Sequence, residues 1–355
     1  MAFSRDGTLL AVASGCNIDI WNVSIDSPQL IFSDCSSETV CSCITWSADH
    51  RIVITGHASG EISFITITAP NQAQGIIVRH PFSCSRQRIS SLSLLDDRLL
   101  AVATESNVRL VEVTEERPVL LGHLPPPILP DGALMIDTTP RFITWVSDHE
   151  IAVCYSSVVI RWLVQNTQPL TAKVVGRRDL DGLLVDVSQD HAGLVAHPSG
   201  NQFKVISLRN SSSEIIIPRA SGLPPVSLTS QAIFVNSTIM EAGVGCFYQW
   251  DLTGRKLRSI KFLNVASAWF DKIVHAYNPA TGCSQVAGFM ESNHGLEITL
   301  WKTWEELDSS PPMTFFLKQG WIYDSILAVA VAVFLYLYAY TQNSERLNEF
   351  LSFPV

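Results

Sequence analysis

The chain has 355 residues, of which 47% are hydrophobic and 16% charged. That charged share lies well below the usual ~25% and excludes an intrinsically disordered chain, which needs high charge and few apolar groups to stay unfolded. With 24 Lys and Arg against 33 Asp and Glu the net charge is −9, which argues against nucleic-acid binding through a basic surface.

From the amino terminus, Leu9 to Ala13 is apolar throughout and reads as a strand. Gly15-Cys16-Asn17 then turns the chain, and Ile18-Asp19-Ile20-Trp21 alternates with period two, as a half-buried strand does. The alternation returns at Ile62 to Ile65, Val108 to Val111 and Ile298 to Trp301. Strand-like segments of this kind end at Trp21, Ile65, Val111, Trp162, Ile206, Trp250 and Trp301, at intervals of 44, 46, 51, 44, 44 and 51 residues. A polar turn residue precedes the first six endings: Asp6, Asp49, Asp97, Asp148, Asp190 and Asn236 stand 15, 16, 14, 14, 16 and 14 residues upstream. The seventh unit is looser, with Asn278-Pro279 lying 23 residues before Trp301.

One strand–turn–strand unit cannot bury both of its faces, whereas stacked units can. A period of about 40–45 residues with four strands per unit is that of a β-propeller. The expected fold is therefore all-β, a seven-bladed propeller.

The residues that carry the period resemble the WD40 repeat family. Phe3-Ser4-Arg5-Asp6-Gly7, then Leu9 to Ala13, then Ile18-Asp19-Ile20-Trp21-Asn22 is similar to one such repeat. Trp250-Asp251 is the strict signature pair, and Trp21, Trp162 and Trp301 carry degenerate versions. The resemblance covers residues 1–318 and implies a WD40-like propeller there. The Gly-His pair of the family is mostly missing; Gly122-His123 is the best candidate and Gly56-His57 is out of place. The family's buried Asp–His–Ser–Trp network is accordingly not expected in most units. The first unit opens at Met1-Ala2-Phe3 with almost no inner strand, and the segment Met313 to Leu317 is placed to supply only the last unit's outer strand.

Beyond the seventh unit, residues 319–324 read as a linker and residues 325–344 carry no charge. A helix of 20 residues spans about 30 Å, the hydrocarbon thickness of a bilayer. Ile326, Leu327, Val329, Val331, Val333, Phe334, Leu335, Leu337 and Tyr340 are its apolar body, with Trp321 and Tyr323 near one edge. The expectation is a transmembrane helix followed by a short polar tail, 345–355. No signal peptide is recognisable in the first 16 residues. The layout is that of a tail-anchored protein with a cytosolic propeller, and the sparsely basic tail points to the endoplasmic reticulum. It is similar to fungal WD40 proteins with a single C-terminal membrane segment.

Nothing in the sequence points to catalysis, a cofactor or a metal. Phosphate-loop, dinucleotide, zinc-protease and serine-hydrolase motifs are missing. Asp49-His50, Asp148-His149 and Asp190-His191 fall at one repeated turn, where Asp is favoured because its side chain bonds the backbone two residues on. His275 reads as a satisfied core histidine, Leu124 to Pro130 as a stiff connection, and Arg177-Arg178 as a solvated face. The eight cysteines show no paired metal spacing and are expected as reduced, mostly buried thiols. The functional expectation is a non-enzymatic scaffold, anchored to a membrane, that binds cytosolic or membrane-associated proteins. The alternative is a guanine-nucleotide exchange factor for a small GTPase in vesicle formation, because the layout also resembles the Sec12-like factors.

Overall fold

The computed structural model describes residues 1–24, 27–35, 38–67, 76–114, 117–127, 139–165, 170–180, 183–187, 194–197, 202–207, 214–218, 232–235, 238–243, 246–253, 255–261, 272–278, 283–292, 295–304 and 313–317. Among the described residues the strands form seven four-stranded antiparallel sheets, each a meander in chain order. The protein is an all-β propeller. In the first sheet the strands are Ala2–Phe3, Leu9–Ser14, Asn17–Asn22 and Gln29–Asp34. The second runs Cys41–Trp46, Ile52–His57, Glu61–Ile67 and Ile76–Ser83. First strands of successive sheets lie beside one another, and the first strand of the chain also meets Lys272–Asn278, the first of the last sheet. They are therefore the inner strands of the ring.

The core sits between sheets. Along Leu9–Ser14 successive side chains point to opposite faces. Leu10 and Val12 pack on Ala276, Ala287, Ile298 and Leu300 of the last sheet, while Leu9 and Ala11 pack with Val53 and Ile65 of the second. Both faces are buried, which is why Leu9 to Ala13 is apolar throughout rather than alternating. The same device joins the next seams. Ile54, Ile62 and Phe64 meet Leu100, Val102 and Val111, and Ala101, Ala103 and Leu110 meet Trp145, Ile151 and Val153. Ile206 closes on Ala152, Cys154 and Val159 of the fourth sheet. Val205 and Ile217 close on Phe234, Ile239 and Trp250 of the sixth.

Among the described residues the ring closes by packing. The first inner strand has two residues, Ala2 and Phe3, paired to Ala11 and Leu10. Met313–Leu317 is the outer strand of the last sheet, paired to Leu296 through Leu300. No strand among the described residues is shared across the seam; Met1, Phe3, Leu10 and Val12 are pressed on the last sheet instead. Among the described residues no helix is long and apolar enough to cross a membrane. Residues 325–344, with Ile326 through Tyr340, lie outside the described residues.

Candidate functional site

The turn between the first and second strands repeats one hydrogen-bonded design. In the first sheet Ser4 Oγ donates to Asp6 Oδ1 (2.6 Å), which also accepts the Thr8 N–H (3.1 Å), and Leu9 N donates to Ser4 Oγ (2.9 Å). In the second sheet Ser47 Oγ donates to Asp49 Oδ1 (2.6 Å), Arg51 N donates to the same oxygen (3.0 Å), and Ile52 N donates to Ser47 Oγ (2.8 Å). Burial pushes both carboxyls up, but the bonds from Ser4 and Thr8, and from Ser47 and Arg51, outweigh it and hold Asp6 and Asp49 below the ordinary carboxylate range. The third sheet uses a tighter turn: Asp96 and Asp97 both take positive φ (45° and 57°), and Arg98 N donates to Leu95 O (3.1 Å). Two consecutive positive-φ residues make a type I′ hairpin, whose twist matches the strands it joins.

These turns are laced to each other. Ala48 N–H of the second sheet donates to Asp97 Oδ1 of the third, and His50 Nδ1 stands 4.0 Å from Asp6 Oδ1 of the first. Below them, Trp46 Nε1 donates to Ala2 O (2.9 Å) and Trp145 Nε1 donates to Ser93 O (3.1 Å). Ser91 and Ser93 also take backbone N–H groups of the next inner strand, from Ile143 and Trp145, each at 3.2 Å. Side chains thus perform between inner strands the stitching that backbone ladders perform within a sheet.

Inside this ring lies a cavity of about 620 Å³, the mouth of the central channel. Its charged lining is Arg5, Asp96, Asp97 and Asp148, joined by His275. Burial alone pushes His275 down to about 4, so the imidazole is neutral near pH 7. Its Nε2 is buried without a hydrogen-bond partner. The expectation of a satisfied core histidine is therefore corrected: His275 lines the channel wall, on the face of its strand opposite Val274 and Ala276, which pack on the first sheet. Three carboxylates against one guanidinium make the mouth an acidic recess, suited to a cationic group.

The signature residues of the repeat are not brought together. Trp21 packs beside the seam of the first and last sheets, and Trp162 and Trp250 are buried between the third and fourth and the fifth and sixth. Among the described residues the indole N–H groups of Trp162 and Trp250 have no hydrogen-bond partner, so the network that the resemblance implies is not seen at either. Asp251 caps its own turn: Oδ1 accepts Thr253 Oγ1 (2.6 Å), Thr253 N (2.9 Å) and Arg255 N (2.8 Å), and the Thr253 hydroxyl leads in lowering its pKa. Trp301 pairs with Val286 inside the last sheet.

Among the sequence candidates, Asp49-His50 and Asp148-His149 are turn residues, and Asp190-His191 lies outside the described residues. Neither Gly-His pair forms the network that the resemblance implies, among the described residues. His123 is exposed on an outer strand, whereas His57 is buried, with Thr55 Oγ1 3.0 Å from Nε2 and Thr39 O 3.4 Å from Nδ1. Arg177 pairs with Asp179 at 2.9 Å, on the solvated face expected of it. Pro125 and Pro126 are exposed behind a buried Leu124. Among the described residues no cluster of three His, Cys, Asp or Glu could hold a metal ion. Sequence reasoning missed Trp46 and Trp145, although each stands three residues before its turn aspartate, a spacing visible in the chain.

No family model and no curated protein matches the chain. Solved structures do. A chain of the mitotic checkpoint complex is similar at a TM-score of 0.59 and 14% identity, with 86% of each chain covered. U3-55K is similar at a TM-score of 0.54 and 13% identity, over 80% of this chain and 86% of that one. At such identities the likeness shows the fold alone, a β-propeller.

Proposed function

We propose that this propeller is a non-enzymatic protein-interaction scaffold of the WD40 type, and that the channel mouth is where it receives a partner. The carrying observation is the recess of about 620 Å³ with Asp96, Asp97 and Asp148 set against Arg5 and a neutral His275. A protruding Lys or Arg on a partner's loop has the size and charge for it. Arg fits best, because its planar fork donates to two carboxylates at once. Turns that are hydrogen-bonded within and across sheets hold the acidic groups in place before the partner arrives, so little ordering is needed on binding. The described similar structures include a component of a protein complex, the mitotic checkpoint complex, which supports protein partners.

In the same reading residues 325–344 anchor the chain in a membrane with the propeller on the cytosolic side, which raises the local concentration of partners there. What supports this is the uncharged run itself, of about bilayer length. Alkaline carbonate extraction of full-length chain and of residues 1–320, with protease protection of an amino-terminal tag, tests it. A full-length chain that washes off the membrane ends the anchored reading. For the scaffold reading, an array of basic and acidic peptides is probed with the full chain, and failure to prefer the basic set would sink it. The same uncharged run after a propeller supports the exchange-factor alternative. Accelerated nucleotide release from a panel of small GTPases would select that reading, and no acceleration leaves the scaffold.

A further inference from the structure

We propose that Cys16 and Cys35 form a reversible intramolecular disulfide, a redox-modification site at the end of the first sheet opposite the channel mouth. Their sulfur atoms stand 3.3 Å apart, although the residues are 19 positions apart in the chain. The fold makes the pair. Cys16 sits in the turn between Leu9–Ser14 and Asn17–Asn22, and Cys35 directly follows the outer strand Gln29–Asp34. The register that matches Ile18 with Asp34 brings both cysteines to the same end of the sheet. A disulfide needs a separation of about 2.05 Å, so the sulfurs close a gap of little more than 1 Å.

Access is selective. Cys35 is exposed and Cys16 and Cys43 partly so, whereas Cys41, Cys84 and Cys154 are buried; of these three accessible thiols only Cys16 and Cys35 stand sulfur to sulfur. Burial pushes the Cys84 thiol up to about 11 and the Cys154 thiol higher still, which leaves them inert as nucleophiles. The hydrogen bond with Cys16 is the leading cause that raises the Cys35 thiol, so the site is selected by exposure and by the neighbouring sulfur rather than by acidity. Among the described cysteines, the β-meander carries these two to a solvent-facing corner.

The oxidant is a low-molecular-weight disulfide such as oxidised glutathione. One cysteine thiolate attacks a glutathione sulfur, the glutathione S–S bond breaks, and one glutathione leaves as its thiolate. The second cysteine, deprotonated, attacks the protein sulfur of that mixed disulfide and expels the second glutathione. The protein gives up two electrons and two protons; the oxidant takes them as two thiols. The bond closes a loop over the first sheet's turn, where Gly15 O accepts the Cys41 N–H (2.9 Å) that starts the second sheet.

The test is incubation of the full chain with oxidised glutathione, alkylation of remaining thiols, and chymotryptic digestion with fragment-ion sequencing. No Lys or Arg lies between Arg5 and Arg51, so chymotrypsin, cutting at Trp21 and Phe32, separates the partners. The expected result is a cross-linked pair holding Cys16 and Cys35, reversed by reduced glutathione, with Cys41, Cys84 and Cys154 still alkylated. The conservative variants Cys16→Ser and Cys35→Ser are expected to leave the other thiol as a stable glutathione adduct. Separate adducts on both residues of the wild-type chain, an inter-chain disulfide, or oxidation of the buried cysteines at the same rate would each overturn the proposal.

Discussion

The indole N–H of Trp46 donates to the carbonyl oxygen of Ala2 at 2.9 Å, so a side chain of the second sheet completes the bonding of a two-residue inner strand in the first. That strand makes only two register pairs of its own, at Ala2 and Phe3. Its position therefore leans on Trp46 and on the packing of Met1 and Phe3 against the last sheet. Replacing Trp46 by Phe keeps most of the apolar body and removes the donor. The lost hydrogen bond costs about 1 kcal/mol, and the smaller ring adds a further ~1 kcal/mol of lost packing. Urea unfolding is expected to show a loss of that size. Hydrogen exchange at residues 2–4 should accelerate more than at Leu10 or Ala11. Trp145→Phe tests the same contact in the fourth sheet, where the partner is Ser93 O (3.1 Å). There the inner strand is longer, and the local exchange effect should be smaller.

Gly15 and Gly60 occupy the same turn of consecutive sheets, with φ of 61° and 85°. Their surroundings differ. A Cβ at Gly15 meets nothing within 4 Å, whereas one at Gly60 lies 2.6 Å from the Ser85 carbonyl carbon and 2.7 Å from Gln87 O. Those atoms belong to the backbone that leads into the third sheet, and Gly60 O itself accepts the Ser85 N–H (3.0 Å). Gly15→Ala carries only the left-handed penalty, about 1 kcal/mol. Gly60→Ala adds a clash with fixed backbone and is expected to cost at least ~2 kcal/mol more. Equal losses in thermal unfolding of the two variants would contradict the close approach seen here.

The parts of the fold that were legible in sequence are those whose burial has a period. Ile18 and Ile20 are buried while Asp19 and Trp21 face the other way, so the third strand alternates and can be read. Leu9 through Val12 is buried on both faces and reads as a plain apolar run. Outer strands carry neither signal. Leu30, Val119, Leu120 and Val174 on these strands are more than two-fifths exposed, because an edge strand needs only one partner. The turn aspartates could be read from Asp6 and Asp49 because an Asx turn is a local event. The channel mouth could not. His275 lies far along the chain from Arg5, and only the seam that packs the last sheet on the first brings them to one cavity.

The charge of that cavity makes a directional prediction. Asp96→Asn and Asp148→Asn each remove one negative charge from the wall. Asn accepts the positive φ of position 96 as readily as Asp does. Asp97 is left in place, since it holds the Ala48 N–H. The double variant is expected to weaken binding of an Arg-bearing peptide by roughly thirtyfold, each charge-assisted hydrogen bond being worth about 1 kcal/mol at a partly wetted site. Arg5→Gln should act in the opposite sense. Peptide titration at two salt concentrations checks both, because an electrostatic mouth loses affinity as salt rises. A wild-type affinity indifferent to salt would place binding elsewhere on the propeller.

Acid should act on the seam before it acts on the turns. Burial lowers His275 to about 4, below the ordinary value near 6.5, so the folded protein keeps this imidazole neutral where the unfolded chain would protonate it. Between those values the unfolded state binds the extra proton, and stability rises with pH. The contribution is fully present above about pH 6.5 and is lost as pH falls toward 4; at about 1.4 kcal/mol per unit, the loss is on the order of 2 to 3 kcal/mol. Asp6 and Asp49 are also lowered, with burial opposed and outweighed by the bonds from Ser4, Thr8, Ser47 and Arg51. Their share is present above about pH 4 and disappears only as pH falls through their depressed folded values. Urea midpoints measured from pH 7 to pH 3 should therefore decline in two stages. His275→Gln is expected to flatten the upper stage and leave the lower one, whereas Asp6→Asn should do the reverse. An upper stage unchanged in His275→Gln would mean that another group carries it.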